Sequence, residues 1–169
     1  LREAGNAPEP LARARAFKNV LDHVIVDGDE GPLFGHCRGF TGDALPMGVC
    51  EDEYTALVAE HQARGQRDFW AGFDHSLADY QTLLTIGIGG YRERVRASLA
   101  QHPAPDAQVF LQAVDLTLQA FSDFIRRLSD AAGKEGREDA VQVLAAIVAE
   151  PPRHFREALQ LVWLTHLVF

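Results

Sequence analysis

Between residues 106 and 132 apolar side chains return every three or four positions, at Phe110, Val114, Leu118, Phe121, Ile125 and Leu128. That is the α-helical period, so a long amphipathic helix is predicted there, with Phe110, Val114, Phe121 and Ile125 facing a core. A breaker, HPAPD at residues 102–106, separates it from an earlier stripe through Tyr80, Leu83, Leu84, Ile88, Tyr91, Val95 and Leu99. Ser76 followed three residues later by Asp79 marks the start of that second helix, which runs to about residue 101. Gly87, Gly89 and Gly90 lie inside it and imply either close approach by another helix or a kink. Behind Pro8 and Pro10, residues 11–24 place Ala14, Phe17, Leu21 and Val24 on one further helical stripe.

The remaining segments are read the same way. Residues 25–48 are rich in glycine and predict turns, with short extended pieces at VIV and PLFG. Residues 51–64 return to a helical pattern through Tyr54, Leu57, Val58 and His61, and residues 67–75, RDFWAGFDH, read as an aromatic connector. After AAGKEGRED, a shorter helix carries Val141, Leu144, Ile147 and Val148 and stops at Pro151. The last segment, PPRHFREALQLVWLTHLVF, has prolines where a helix begins. It puts Phe155, Leu159, Val162, Trp163 and His166 on one face, while Leu161, Leu164, Leu167 and Val168 make the rest apolar too. A helix apolar all round belongs inside something, and this one is shorter than the roughly 20 apolar residues a bilayer requires. The expectation is that most of its covering core lies outside this chain. The chain by itself should then expose Leu159, Val162, Trp163, Leu164 and Phe169 and self-associate. Residues 1–169 thus read as a single, mainly α region with no sheet of four or more strands.

Composition narrows the partners. The chain of 169 residues is 47% hydrophobic and carries a net charge of −8, so nucleic acid and anionic membrane surfaces are poor partners. LREAGNAPEP has no apolar stretch behind a basic start, so no secretory signal is expected. Cys37 and Cys50 stand in no repeated frame, and a reducing cytoplasm is the expected compartment.

Three chemistries are testable in the residues. His36, Cys37, Cys50 and His61 are suitable metal ligands, but their spacings match no zinc frame, and a glycine-rich loop with a free thiol is the better reading. GIGGY at residues 87–91 sits within a helical pattern rather than between a strand and a helix, so it is read as packing, not as a phosphate cradle. Asp74, His75 and Ser76 are neighbours without a nucleophile elbow. FWAGFDHSLADY nevertheless gathers aromatics, carboxylates and His75 directly before a helix N-terminus, where a polar substrate group could be held. A capping role for His75 and a core role for Trp70 and Phe73 weigh against that.

Three segments carry a family resemblance. ARARAFKNVLDHVIVDGDEGPLFG is similar to the N-terminal region of glycyl radical enzymes of the pyruvate formate-lyase type, where a helix with the pattern R-A-x-x-x-x-x-V-L runs into an extended I-x-x-D-E-x-x-x-G segment. FDHSLADYQTLLTIGIGGYRERV resembles that family's G-H-x-x-P-D-Y-x-x-x-L-x-x-G-L-x-G-I stretch, with Phe73-Asp74-His75 departing from Gly-His and Ala78 standing for proline. PPRHFREALQLVW resembles P-P-x-T-F-x-E-A-L-Q-x-x-W and is the most specific of the three. Order and spacing agree, from about Ala12 to Phe169.

The resemblance implies the N-terminal helical part of a much longer, anaerobic enzyme, in which helices wrap a ten-stranded barrel made of two half-barrels. It implies a lyase or dehydratase that cleaves a C–C, C–O or C–N bond of a small hydroxylated or carbonyl substrate. An S-adenosylmethionine-dependent activase would install the glycyl radical, which passes to a cysteine sulfur. Neither radical residue has a counterpart here, and Cys37 and Cys50 match no catalytic position, so no catalytic residue is assigned and the chain alone is expected to be silent. His75 is the candidate substrate-binding residue, and Asp79 matches a motif aspartate read as a cap. Partners implied are the remainder of the polypeptide, the activase, and a second copy in a homodimer. The alternative is a non-catalytic helical scaffold or binding module related to the same region. Metal analysis of the purified chain should find no stoichiometric zinc at His36 and Cys37, and one zinc per chain would contradict this reading.

Overall fold

A computed structural model describes residues 7–27, 31–38 and 78–168, together with 56, 59, 60 and 63. Its elements are α1 (Glu9–His23), β1 (Ile25–Asp27), β2 (His36–Arg38), α2 (Tyr80–Gln101), α3 (Pro105–Lys134), α4 (Glu138–Ala149) and α5 (Phe155–Val168). The fold is mainly α. The two short strands pair antiparallel, with Val26 opposite Cys37. Extended structure was expected at VIV and PLFG; the second strand falls just after PLFG, because Phe34 and Gly35 bond to side chains of α5 instead of to a strand. Of the predicted helix over 51–64, positions 56, 59, 60 and 63 are helical.

Several helix ends are closed by named groups. Asp79 is the cap of α2, its Oδ1 accepting the Thr82 N–H at 3.0 Å, so the helix begins just after Asp79 rather than at Ser76. At the other end, Gln108 Nε2 donates to the carbonyls of Leu99 and His102, both at 2.7 Å. The C-terminal carbonyls of α1 are met by Arg127 of α3, whose guanidinium donates to Leu21 O and, at 2.8 Å, to Val24 O. α3 ends in a left-handed turn at Gly136, with φ 72°, where Gly136 N–H bonds Gly133 O and Arg137 N–H bonds Ala132 O.

α3 is the centre of the molecule, with α1, α2, α4 and β1 packed on it. Its Phe121, Phe124, Ile125 and Leu128 meet Leu21 of α1, Ile88 of α2, Leu144 and Ile147 of α4, and Leu161 and Leu164 of α5 in one buried cluster. Phe121 and Ile125 are buried as the periodicity predicted, but Val114 is only half-buried and Phe110 is 58% exposed. The stripe is longer than the core: the first buried residue of α3 is Ala113, one turn after Phe110.

α5 also departs from expectation. Leu161 and Leu164 are fully buried within this chain, and Trp163 is half-buried against the core. A covering core is thus present for this face, and the apolar strip left outside is narrower, at Phe155 (82% exposed) and Leu159 (40%). Phe169 lies outside the described residues.

Of the glycines of α2, Gly87 carries the kink. Gly87 has φ 64° and ψ −178°, which breaks the helical path, and a Cβ there would stand 3.0 Å from both N and Cα of Pro151. The kink and the close approach are one feature, and what approaches is the α4–α5 connection. Gly87→Ala should therefore destabilise the fold by about 1–3 kcal/mol, from a disfavoured backbone state and the clash with Pro151. Chemical denaturation measures it; a change within 0.5 kcal/mol would mean that α2 straightens without cost.

Candidate functional site

The most constrained place in the molecule is where α5 meets the segment between β1 and β2. Gln160, 2% exposed, accepts the Phe34 N–H at Oε1 (2.9 Å) and donates from Nε2 to Phe34 O (2.7 Å). One side-chain amide thus satisfies both main-chain groups of a residue 126 positions away. One turn on, Trp163 Nε1 donates to Gly35 O at 3.1 Å. Gly35 has φ 120°, which disfavours any side chain, and a Cβ there would stand 3.1 Å from Leu128 Cδ1 and Leu164 Cδ2, a tight contact that those methyls would have to yield to. The Phe34 ring is completely buried, and its burial contributes roughly 2–3 kcal/mol.

The start of α5 aims this amide. Glu157 Oε2 accepts the N–H groups of Arg153 (2.6 Å) and His154 (3.3 Å), the carboxylate half of a capping box. Pro151, against the kink at Gly87, lies four residues ahead of the helix, which begins at Phe155 and not at the prolines. The last of the three segments that carry the sequence resemblance touches each of the other two: Gln160 and Trp163 bond Phe34 and Gly35 of the first, and Pro151 lies against Gly87 of the second.

Charges close the edge of the junction. Arg137 donates to Gly31 O at 3.1 Å, and its guanidinium carbon lies 5.9 Å from the centre of the Phe34 ring. Arg137 and Arg156 both bond Asp139, and these two hydrogen bonds, Arg137 foremost, hold its carboxyl far below the usual carboxylate range. Farther off, Arg92 of α2 clasps Asp115 of α3 at 2.8 and 3.3 Å, and that hydrogen bond lowers the pKa of Asp115 against a partial cost of burial. The Asp79 carboxyl is lowered too, by its bonds to Thr82.

A second feature is an open apolar groove of about 740 Å³ between α1, α2 and α3, walled by Phe17, Leu83, Ile88, Phe110 and Phe121 with the Tyr91 side chain. Ala78 and Asp79 stand at its lining. The candidate substrate residue His75 lies outside the described residues, as do Asp74, Ser76, Cys50 and His61. His36 and Cys37 stand in β2, opposite Asp27 and Val26. Among the described residues no cluster of three His, Cys, Asp or Glu side chains could hold a metal ion. The junction holds amides, an indole and ion pairs, and what this arrangement does chemically is fix backbone, not move protons. In the sequence Trp163 reads as part of an apolar face and Gln160 only as a letter of a motif; the missed signal is a lone amide among apolar neighbours, which has to be hydrogen-bonded if buried.

The family model described as pyruvate formate lyase-like matches residues 42–169. Among curated proteins, the chain is 29% identical over 147 residues to the "Probable dehydratase YbiW" of Escherichia coli (strain K12), a match that takes in 78% of this chain and 18% of that protein. The chain thus spans less than a fifth of the length of this relative.

Gln160→Leu should cost about 2–5 kcal/mol in denaturation, since it strands two buried main-chain groups; a loss below 1 kcal/mol would show that Phe34 finds other partners. The pH dependence follows from Asp79, Asp115 and Asp139, all lowered. Their stabilisation is complete above the unfolded carboxylate value of about 4 and is lost as pH falls through the lower folded values. Asp115→Asn should flatten stability against pH in that acid window and leave the shape near neutrality unchanged. An acid limb as steep as in the unsubstituted chain would rule Asp115 out as a contributor.

Proposed function

Because the chain belongs to the pyruvate formate lyase-like family, we propose that it is the N-terminal helical part of a glycyl radical lyase or dehydratase acting on a small hydroxylated or carbonyl substrate. The observation that carries this reading is that the last family-like segment packs on both of the others, through Gln160–Phe34 and Trp163–Gly35 on the first and Gly87–Pro151 on the second. The dehydratase name of the relative favours C–O cleavage among the reactions open to such an enzyme. In this reading the chain supplies scaffold and wall around a barrel built by the rest of the polypeptide, excluding water and oxygen from the reacting centre. The strip at Phe155 and Leu159 is where that remainder would lie against α5. The radical glycine and thiyl cysteine belong to the remainder, and an S-adenosylmethionine-dependent activase, working anaerobically in the cytoplasm, would install the radical there. His75, just before the cap of α2, would hydrogen-bond a substrate hydroxyl. A homodimer is part of the same reading.

A non-catalytic helical module remains the second reading, favoured by one observation: the Leu161 and Leu164 face of α5 is already covered inside this chain. Reading the coding frame beyond Phe169 separates the two, since a long continuation with a glycine-centred C-terminal motif supports the enzyme and an immediate stop supports the module.

Anaerobic incubation of this chain with a radical activase and S-adenosylmethionine should give no glycyl doublet by paramagnetic resonance, while the parent polypeptide should give one. A doublet on this chain would overturn the assignment of the radical to the remainder. In the parent enzyme, His75→Ala should lower kcat/KM about tenfold or more, as expected for a lost polar contact to substrate. Unchanged kinetics would remove His75 from the site.

A further inference from the structure

Residues 31–35 form neither helix nor strand, yet they lie across the α3–α5 seam at full burial of Phe34. Their ties reach outward: Arg137 to Gly31 O, Gln160 to both main-chain groups of Phe34, and Trp163 to Gly35 O. The helices that supply these side chains keep their own backbone ladders whether or not the segment is seated. Its large apolar anchor is the single ring of Phe34, and the fit is narrow, since a Cβ on Gly35 would stand 3.1 Å from methyls of Leu128 and Leu164.

The identity of residue 160 matters most. An amide on the seam is satisfied by Phe34 when the segment is seated and by water when it is not, so both arrangements leave it hydrogen-bonded. An apolar side chain at this position could bond the segment in neither, and would expose apolar surface on opening. A buried polar clamp that matches one main-chain residue at two points is what a discrete closed state requires, with release as a unit rather than gradual loosening.

We infer that residues 31–35 are a latch, locked by Gln160 and Trp163, that opens as one unit ahead of the helices. Opening uncouples the β1–β2 pair from α5 while α1, α2 and α4 stay packed on α3 and α5 stays packed on α4. The latch is therefore a place where anything that binds the seam, or pulls on the β1–β2 pair, changes the coupling between the two ends of the chain.

Native-state hydrogen exchange by NMR tests it with three probes: the Phe34 amide, the Trp163 indole N–H and the Ile125 amide. The first two should share one opening free energy with weak dependence on denaturant, below that of Ile125 in the core of α3. Gln160→Ala should speed exchange at Phe34 and also at the Trp163 indole, whose own partner it does not touch, by about tenfold or more, with a smaller change at Ile125. Trp163→Phe keeps the ring, removes the donor, and should speed exchange at Phe34; it decides the matter if Gln160→Ala does not fold. Equal denaturant dependence at all three probes, an indole rate unmoved by Gln160→Ala, or a Phe34 rate unmoved by Trp163→Phe would each overturn the latch.

Discussion

The placement of α5 depends on one buried amide. Gln160 holds the N–H and the C=O of Phe34, and with them it fixes the direction in which the chain crosses between β1 and β2. Burying an unpaired amide costs more than a made hydrogen bond returns, so the pairing acts mainly as a penalty on every other arrangement. A register shift of one residue in either partner would strand three or four polar groups inside the core. The same constraint explains the neighbours: Gly35 must lack a side chain, Trp163 must present its N–H one turn on, and Glu157 must start the helix where it does.

The second fixed point is the contact of Gly87 with Pro151. α2 breaks its helical path so that the α4–α5 connection can pass against its backbone. The two fixed points act at different places on α5, one ahead of its first turn and one midway along it. Between them, α3 supplies the apolar volume, and Arg127 ties the end of α1 back to it. The chain therefore has a closed core of its own while keeping an outer apolar strip at Phe155 and Leu159, a combination that suits a part built to be covered on one side.

Much of this was legible in the sequence, and the misses have physical causes. The long helix of α3 follows from a period sustained over about five turns, and the breaker at 102–106 and the Asp79 cap follow from proline chemistry and from a carboxylate that accepts an orphan N–H. Phe110 was misplaced because periodicity gives the face of a helix and not how far the core extends along it. α5 was read as lacking a partner because its partner is an irregular segment, residues 31–35, whose glycines and proline announce turns and conceal a buried phenylalanine. The kink at Gly87 was one of two alternatives, and the structure shows both in a single residue. Of the candidate site, His75 lies outside the described residues, whereas Gln160, which does most to build the junction, is visible in the sequence only as a motif letter.

The central claim is that α5 is seated by the Gln160 amide on Phe34. The direct measurement is a nuclear Overhauser experiment on the isotopically labelled chain, reading the side-chain amide protons of Gln160. The account predicts strong cross-peaks from them to the Phe34 amide and α protons, with Gln160 shielded from water. Cross-peaks to water alone, with none to Phe34, would contradict it.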